Sequence, residues 1–402
     1  APLMMIQSPS FKIGQVLTTE IRAVAFGGDG IGRVEGVVVF VPFTLDGDVV
    51  ELEIREVKRK YLRGRLRTIL TPSARRASPP CPYFGRCGGC QYQHVDYEKQ
   101  LELKTGQVID AFERVGGLKS PPVQEIIPSP RIYGYRMKGE YHVQPVAGKA
   151  PVIGFLDAGG RRLVDIQRCE IMDGFINDSC AAFRGRMTRM DPRGGESRLV
   201  LWARENGDAD EAADRVRRTV KGKVFKVPRD GFFQANGALV ATLVDEVIRL
   251  SAPSREDRVI ECYCGSGLFS AFLAERCGVF AGIEIDAEAV ECARENLEGI
   301  SNSSLYCGDV RDILRADIFE DGPADLIVMD PPRRGCEKDV LLAVSAIAPR
   351  RIVYVACDPA TQARDVAFFV QEGYELKAVQ PLDMFPQTKH IEAVALLEKR
   401  RG

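Results

Sequence analysis

The fold is decided by residues 259–270, which read VIECYCGSGLFS. An apolar strand there runs into a glycine turn and then into the start of a helix. A second apolar strand, Val279–Ile285, follows and places Glu284 seventeen residues after Gly267. An acidic residue at about that distance, at the tip of the second strand, is where nucleotide-binding folds hold ribose hydroxyls. The stretch therefore predicts a nucleoside site on a parallel α/β sheet.

The turn contains Gly265 and Gly267 but lacks the third glycine of a pyrophosphate-binding loop. A cofactor with an adenosine and no pyrophosphate fits better, and S-adenosylmethionine is the usual one for this arrangement. Apolar strands alternate with helical stretches from about residue 257 onward, as in a doubly wound sheet. Further polar residues close later strands, at Asp309, Asp330 and Cys357. Because ligands of open α/β sheets bind at the carboxyl ends of the strands, these residues are candidates for one site.

Twelve cysteines are unusual for a chain of this composition, and three of them lie within ten residues: Cys81, Cys87 and Cys90. Glycines between them let the backbone curl until the sulfurs converge on one ion or cluster. Thiolates select zinc or iron–sulfur clusters, which usually take four protein ligands. Cys169 is the first candidate for the fourth ligand, and Cys180 or His94 also fits the spacing. The spacing alone does not separate zinc from iron–sulfur.

From Phe11 to about Thr71 the sequence predicts short β-strands joined by glycines, with a turn-forming loop at residues 26–32, and hence a small barrel. Nine Lys or Arg face only one acidic residue, Glu56, between Arg55 and Arg76. Alternation of Arg63, Arg65 and Arg67 puts all three on one side of a strand. This pattern predicts a phosphate-binding face, and the competing interpretation is a solvated edge strand protected by charge.

The length of 402 residues exceeds what one hydrophobic core usually organises. The predicted domains are a barrel at 8–72, a mixed central domain with the cysteine cluster at 78–230, and an α/β domain at 231–402. Proline-rich breaks occur at residues 78–80, before the cysteine cluster, and at residues 121–122. A helix with amphipathic spacing is predicted between the breaks, at Tyr97–Val115.

The composition is that of an ordinary globular protein, with 45% hydrophobic residues, 28% charged residues and a net charge of −1. It excludes a mainly disordered or collagenous chain. No apolar run reaches the roughly 18 residues of a membrane span, and residues 1–10 lack the features of a secretion signal. We therefore expect a cytoplasmic protein with reduced thiols, no membrane contact and no obligate protein partner.

Taken together, these stretches resemble the uracil-carbon-5 RNA methyltransferase family. They resemble in particular the branch that carries an N-terminal TRAM domain and an iron–sulfur cluster and methylates 23S ribosomal RNA or, in some members, tRNA. The resemblance covers nearly the whole chain, in the order of the family's motifs: residues 27–42, 81–90, 232–236 (FFQAN), 259–270, 330–333 (DPPR), 357–359 (CDP) and 383–392. It implies a Rossmann-like class I methyltransferase domain behind an OB-like TRAM barrel.

The resemblance implies RNA as substrate, S-adenosylmethionine as methyl donor and a 4Fe-4S cluster. Residues assigned to the methyl donor, by the resemblance or by the turn and strand ends, are Gln234, Tyr263, Gly265, Gly267, Glu284, Asp309 and Asp330. In catalysis Cys357 would be the nucleophile, Glu392 the base and Arg333 a supporting group. The cluster ligands would be Cys81, Cys87, Cys90 and Cys169. Two positions depart from the family pattern: Asp358 stands where Asn is common, and Leu268 where a polar residue is frequent.

The chemistry explains the need for these residue types. Carbon 5 of uracil is a weak nucleophile until a thiolate adds at carbon 6, and we expect the site to lower the pKa of Cys357 for this purpose. A carboxylate must then remove the hydrogen of carbon 5, which is the role expected of Glu392.

Three other functions compete with this interpretation. An amino-group methyltransferase also uses Asp-Pro-Pro motifs, but it needs no cysteine nucleophile. A radical methylthiotransferase combines TRAM with an iron–sulfur centre, but its Cys-x3-Cys-x2-Cys motif is absent from the sequence. A non-catalytic RNA-binding protein on a methyltransferase scaffold would not need Cys357 and Glu392.

Overall fold

The computed structural model of the chain describes residues 11–146, 148–187, 197–205, 214–316 and 322–400. The chain divides into two compact units. One contains the chain up to Leu103 together with Leu156–Arg162 and Gln387–Lys389, and the other contains Lys104–Phe155, Leu163–Pro386 and the chain from His390 onward. Residues 8–10 of the predicted barrel domain lie outside the described ranges, and the three-domain division stays a prediction.

Five strands of the first unit close into the predicted barrel: β1 Val16–Val24, β2 Asp29–Val34, β3 Val37–Pro42, β4 Val49–Val57 and β5 Tyr61–Thr71. Their order around the barrel is β1-β2-β3-β5-β4. Alternate side chains point inward, because successive residues of a strand face opposite sides. The inward set forms a core of Ile21, Val39, Val41, Val50, Leu52, Ile54 and Leu62.

The glycine loop predicted at residues 26–32 is only partly a loop, because β2 begins at Asp29. A Cβ on Gly30 would lie 2.0 Å from Thr44 Oγ1, and one on Gly32 would lie 2.6 Å from Thr19 Cγ2. These two glycines therefore permit a close approach inside the barrel rather than a turn.

The predicted helix at Tyr97–Val115 is confirmed as α1, Tyr97–Arg114. Beyond it, a four-stranded sheet has the order β8-β7-β6-β9, built from β6 Lys138–Val146, β7 Lys149–Leu156, β8 Leu163–Asp165 and β9 Ser197–Trp202. Helix α2, Gly174–Arg186, packs on β9. A hairpin of β10 Arg215–Val220 and β11 Lys223–Pro228 completes this part of the chain.

The second unit also contains the predicted α/β sheet, whose seven strands follow the order β14-β13-β12-β15-β16-β18-β17. The strands are β12 Arg258–Cys262, β13 Val279–Glu284, β14 Ser303–Cys307, β15 Leu326–Met329, β16 Arg351–Ala356, β17 Tyr374–Leu382 and β18 Glu392–Lys399. The helices are α3 Val240–Ser251, α4 Ser270–Leu273, α5 Ala287–Asn296, α6 Val310–Arg315, α7 Lys338–Ile347 and α8 Pro359–Gln371. The central strands are buried apolar runs, as sheets covered by helices on both faces require.

One strand departs from the parallel pattern. β18 runs antiparallel to both of its neighbours, β16 and β17. A parallel connection needs a crossover, whereas an antiparallel strand is reached by a loop, here residues 383–391 between β17 and β18. The amino end of β18 therefore lies at the same sheet edge as the carboxyl ends of the parallel strands.

Within the described ranges, no helix has both the length and the apolar character that crossing a bilayer demands.

Candidate active site

The register of the sheet brings the two predicted catalytic residues together. Ala356, the last residue of β16, pairs with Ala393 of β18. Cys357 follows Ala356 and Glu392 precedes Ala393, so both stand at the next position of the ladder. Arg333 comes from the loop after β15, and its side chain lies close enough to the Cys357 thiol for its positive charge to favour the thiolate. Residues from three separate elements therefore meet at one edge of the sheet.

The electrostatics of Cys357 differ from expectation. The site raises the pKa of the thiol to about 12, because it is largely removed from water and lies in the negative potential of Glu392. Arg333 opposes this effect by its charge, but does not overcome it. The prediction of a lowered pKa is thus wrong for the protein without substrate, since burial and a neighbouring carboxyl both disfavour a thiolate.

The pKa values of two carboxyls beside the thiol, Asp330 and Glu392, are also raised. Burial, together with the charge of Glu284, raises the pKa of Asp330 to about 7. Glu392 is 3% exposed, and burial and the charge of Asp330 hold its pKa well above the usual range. Arg333 lowers the pKa of Glu392 only in part. The edge of the sheet therefore holds more carboxyls than it can ionise together, which suits a cationic ligand.

The glycine turn has the backbone shape that a close ligand approach requires. Tyr263, Gly265 and Gly267 have φ values of +64°, +54° and +82°. A Cβ on Gly267 would lie 2.9 Å from Leu297 Cδ1, so this position excludes a side chain by both conformation and space. Positive φ at Tyr263, which is not a glycine, marks a strained position of the kind that clusters at ligand sites.

Glu284 ties the turn to the second strand. Its Oε2 accepts a hydrogen bond from the Gly265 N–H at 3.0 Å, and its Oε1 accepts from the N–H groups of Ile285 and Asp286 at 2.8 and 2.9 Å. The carboxylate predicted to hold ribose hydroxyls is therefore oriented by three backbone donors, with acceptor capacity left for a further partner.

Two buried polar atoms near the predicted donor site, Gln234 Oε1 and Ser266 Oγ, have no hydrogen-bond partner among the residues that the structure describes. Gln234 and Ser266 are each 5% exposed. A buried polar atom without a hydrogen bond is costly, so both atoms fit a site completed by a polar ligand. Gln234 was predicted from the sequence, whereas Ser266 was missed, although its place between the two glycines was a usable signal.

Asp309 stands where the sequence places it, after β14, but its carboxylate caps α6 by accepting from the Arg311 N–H at 2.9 Å. Its charge also contributes to raising the pKa of the Tyr263 hydroxyl, for which burial is the larger cause. Asp309 and Tyr263 therefore face the same region of the second unit.

Both departures from the family pattern have structural explanations. Asp358 is the N-cap of α8, and its side chain accepts from Ala360 N–H at 2.9 Å and Thr361 N–H at 3.0 Å. Asn and Asp cap helices about equally well, so the substitution preserves this role. Leu268 is 8% exposed and packs into the core of the second unit, which accounts for an apolar side chain there.

Sequence reasoning missed a fully buried ion pair in the same unit. Lys104 Nζ lies 2.6 Å from Asp383 Oδ1 and donates to the Phe385 carbonyl at 3.0 Å, and both charged side chains are 0% exposed. The available signal was a lysine on the apolar face of α1, three residues after Leu101 and four before Val108. Its partner lies 279 positions away, which no local pattern reveals.

The cysteine loop belongs to the first unit. Its backbone turns tightly, with Cys87 N–H donating to the Tyr83 carbonyl at 2.9 Å. Cys87 Sγ accepts from the Gly89 N–H at 3.4 Å, and its pKa is raised by burial and by the negative potential of Cys81. Soft sulfur donors with a backbone N–H aimed at one of them fit an iron–sulfur site chemically. Among the described residues, however, no three His, Cys, Asp or Glu side chains are arranged to hold a metal ion.

Cys169, the predicted fourth ligand, belongs to the second unit. It is half-buried and precedes α2, and its backbone is bound at both N–H and C=O by the Asn177 side chain at 2.8 and 3.1 Å. The alternative ligand Cys180 lies on α2 and is buried in a hydrophobic core. His94, the other alternative, is 3% exposed, and burial lowers its pKa to about 4.

The basic face of the barrel is smaller than the sequence suggests. Arg63, Arg65 and Arg67 are exposed on alternate positions of β5, as predicted. Arg63 also pairs with Asp29 at 3.1 Å, and Arg75 and Arg76 pair with Asp96 at 2.5 Å and with the buried Asp48 at 2.7 Å. The sequence window from Arg55 to Arg76 holds one acid, but the fold brings further acids from outside it.

Comparison with family models agrees with this architecture. A model described as "TRAM domain" matches residues 10–66, one described as "Methyltransferase domain" matches 259–340, and one described as "tRNA (Uracil-5-)-methyltransferase" matches 309–400. A solved structure of Pyrococcus abyssi tRNA (uracil-54, C5)-methyltransferase in complex with S-adenosyl-L-homocysteine has the same fold. Its TM-score is 0.68 at 23% identity, over 95% of this chain and 100% of that one.

Curated relatives match almost end to end. An uncharacterized RNA methyltransferase of Gloeobacter violaceus is 34% identical over 96% of this chain and 97% of its own length. Another, of Caldanaerobacter subterraneus, is 31% identical over 96% and 99%. With the closed barrel, the seven-stranded sheet and these matches, the chain belongs to the family of RNA methyltransferases that join a TRAM domain to a uracil-5-methyltransferase domain.

Proposed function

We propose that the protein transfers a methyl group from S-adenosylmethionine to carbon 5 of a uridine in RNA, through a covalent adduct between Cys357 and carbon 6 of the base. The observation that supports this most directly is the meeting of Cys357, Arg333 and Glu392 at one sheet edge. Methylation of an exocyclic nitrogen needs neither the thiol nor the second carboxyl. We propose 23S ribosomal RNA as the substrate, because the cysteine motif resembles that of the iron–sulfur branch of the family. A tRNA is the alternative substrate.

The proposed donor site consists of the glycine turn, Glu284, Asp330 and the unpartnered oxygen of Gln234. When bound there, S-adenosylmethionine supplies a methyl group on a positively charged sulfur, which carbon 5 of the activated base attacks. The carboxyls favour this cation, since an opposite charge nearby stabilises the ionised acid.

Addition begins when Cys357 loses its proton to solvent and its sulfur bonds to carbon 6, which moves the electron pair of the ring double bond toward the uracil oxygen. Arg333 stabilises the thiolate through its positive charge. The raised pKa of the free thiol keeps Cys357 protonated, and hence less reactive toward other electrophiles, until the base is in place.

After methylation, carbon 5 carries both the methyl group and its original hydrogen. Glu392, in its ionised form, takes that proton, the electron pair reforms the ring double bond, and the bond between sulfur and carbon 6 breaks. The raised pKa makes Glu392 a stronger base than an ordinary carboxylate. The target uridine must lie outside a helix to reach these groups.

The RNA around the target is proposed to contact the exposed arginines of β5, and phosphate contacts of this kind weaken with added salt. Each of the three proposed domains would then have one function: residues 8–72 bind RNA, residues 78–230 bind the cluster, and residues 231–402 transfer the methyl group.

The test of the reaction is mass-spectrometric mapping of RNA incubated with the protein and S-adenosylmethionine. The RNA is taken from cells that lack the protein, and 23S ribosomal RNA and tRNA are analysed separately. We expect 5-methyluridine at one position of one RNA class. Methyl groups on amino nitrogens, or no methyl transfer to either RNA class, would contradict the proposal.

We also propose that Cys81, Cys87, Cys90 and Cys169 hold a 4Fe-4S cluster. Because the reaction transfers no electrons, the cluster would shape the loop that carries its ligands. Anaerobically purified protein should contain about four iron and four sulfide atoms per chain, and Cys87→Ser should lose both. Stoichiometric zinc in place of iron would refute the cluster assignment.

Binding of the methyl donor should depend on pH through Asp330. With a pKa of about 7, this carboxyl must lose a proton before its charge can favour the sulfonium, so affinity rises with pH. We expect calorimetry to give about tenfold tighter binding of S-adenosylmethionine at pH 8 than at pH 6. S-adenosylhomocysteine has a neutral sulfur and otherwise the same groups, so it should change less than about twofold. Equal pH dependence of the two ligands, or an unchanged dependence in Asp330→Asn, would show that Asp330 does not face the sulfur.

A further inference from the structure

Arg333 lies on a loop of residues 330–337 between β15 and α7, and its side chain is exposed. A long exposed side chain has many rotamers. Its contact with the Cys357 thiol therefore depends on how firmly the backbone beneath it is held. The following residues, Arg334–Cys336, are fixed in a way that neither the proposed reaction nor the proposed donor site requires.

The loop is clamped by side chains of α8, the helix that begins directly after Cys357. Arg364 Nη2 donates to the Arg334 and Cys336 carbonyls at 3.1 and 3.3 Å. Asp365 Oδ2 accepts from the Cys336 N–H at 2.8 Å. Thr361 Oγ1 donates to the carbonyl of Arg333 itself at 3.2 Å. Four hydrogen bonds from three side chains of α8 thus tie the loop backbone to one helix.

The clamp is itself rigid. Arg364 Nε donates to Asp365 Oδ1 at 2.8 Å, and the Tyr354 hydroxyl donates to Asp365 Oδ2 at 2.6 Å. Asp365 and Tyr354 are both 0% exposed. Tyr354 lies in β16, three residues before Cys357, so the clamp is built on the strand and the helix that flank the thiol. A buried carboxylate with this many donors fixes its partners strongly.

Gly335 shows how closely the loop is seated. Its φ is +73°, and a Cβ there would lie 2.6 Å from both Arg364 Nη2 and Asp365 Oδ2. Only glycine satisfies both the conformation and the space. The loop therefore rests directly on the Arg364–Asp365 pair, two residues after Arg333.

We propose that Arg364 and Asp365 are positioning residues that hold Arg333 against the Cys357 thiol. The proposal rests on the proposed function, because it gives the arginine contact its purpose. Asp365 and Arg364 touch no reacting atom. They act by fixing the backbone from which Arg333 reaches the sulfur. Thr361 adds a hydrogen bond to the carbonyl of Arg333.

The test measures the Cys357 thiol directly and requires no RNA. Alkylation by iodoacetamide is followed across pH, and the Cys357 peptide is quantified by mass spectrometry in the full-length protein. Arg364→Lys keeps the charge but loses the planar fork that bonds two carbonyls and Asp365 at once. We expect the midpoint of its alkylation profile to rise by about half to one pH unit, with about three- to tenfold slower alkylation at fixed pH.

A double-mutant cycle separates positioning from a general structural effect. In an Arg333→Gln background, Arg364→Lys should change the Cys357 profile by less than about twofold, because the group it positions is gone. Arg249→Lys is the matched control: this arginine is half-exposed on α3 and bonds Glu246 within its own helix, and its replacement should leave the profile unchanged. Thr361→Val removes one bond to the Arg333 backbone and should shift the midpoint in the same direction by less.

An unchanged Cys357 profile in both Arg364→Lys and Thr361→Val would overturn the proposal, as would an Arg364→Lys shift of the same size with and without Arg333. If Arg364→Lys does not fold, Thr361→Val alone decides. The methylation assay reports separately on the proposed function, since a shifted thiol profile without 5-methyluridine would leave the clamp standing and remove the reaction.

Discussion

Replacing Glu392 with glutamine is expected to leave the protein covalently attached to its RNA through Cys357. Glutamine cannot take the proton from carbon 5, so the methylated base cannot eliminate the thiol, and the adduct accumulates. Loss of a general base typically costs about 10²–10⁴ in rate. Turnover should therefore fall by about three orders of magnitude, while addition and methyl transfer still occur once. Denaturing electrophoresis of labelled RNA with S-adenosylmethionine would show a protein–RNA band.

This variant should fold, because the site already disfavours a negative charge at that position. Glu392 is 3% exposed, and burial and the charge of Asp330 raise its pKa well above the usual range. Glutamine matches glutamate in size and is neutral, so it carries no charge into this buried position. Any loss of activity then reports the missing base rather than a disturbed strand.

Cys357→Ala supplies the matched control and the opposite outcome. It should form neither the band nor 5-methyluridine, and the double variant should behave like Cys357→Ala alone. A band that persists in Cys357→Ala would place the adduct on another residue. Turnover in Glu392→Gln close to that of the unaltered protein, with no band, would mean that another group removes the proton.

The sheet and the residues at its edge were predictable, because each strand and the polar residue that ends it form a pattern of adjacent residues in the sequence. The apolar strands that end at Glu284, Asp330 and Cys357 are each recognisable from a few adjacent residues, and a parallel sheet brings strand ends to one edge whatever the details of packing. The glycine turn was predictable for the same reason, since its backbone conformation is a property of a few adjacent residues.

What the sequence did not reveal depends on contacts between distant segments. The direction of β18 follows from how residues 383–391 return to the sheet, and the pKa of Cys357 follows from burial and from Glu392, 35 positions later in the chain. The reduced basic face has the same origin, because Asp48 and Asp96 approach Arg76 and Arg75 only in the folded barrel unit. Charge counted along a chain does not predict charge on a surface.

Lys104→Met should be the most destabilising single substitution among the residues outside the proposed catalytic group. It leaves the Asp383 carboxylate buried. Its Oδ1 loses the ammonium at 2.6 Å, and its Oδ2 has no partner within the described ranges. Breaking a buried pair by removing one member costs about 3–5 kcal/mol. Denaturant unfolding of the full chain should show this loss in the transition of the second unit.

Two further variants distinguish an unpaired buried charge from simple loss of packing. Lys104→Met with Asp383→Leu removes both charges, and we expect it to regain most of the lost stability, because well-packed apolar residues often replace a buried pair at little cost. Arg114→Met on the same helix breaks an exposed pair with Asp110 and should cost less than about 1 kcal/mol. If Lys104→Met were no worse than Arg114→Met, the buried pair would contribute nothing to stability. If the double variant were less stable than Lys104→Met, the cost would lie in packing, and Lys104 would hold the Phe385 carbonyl rather than balance a charge.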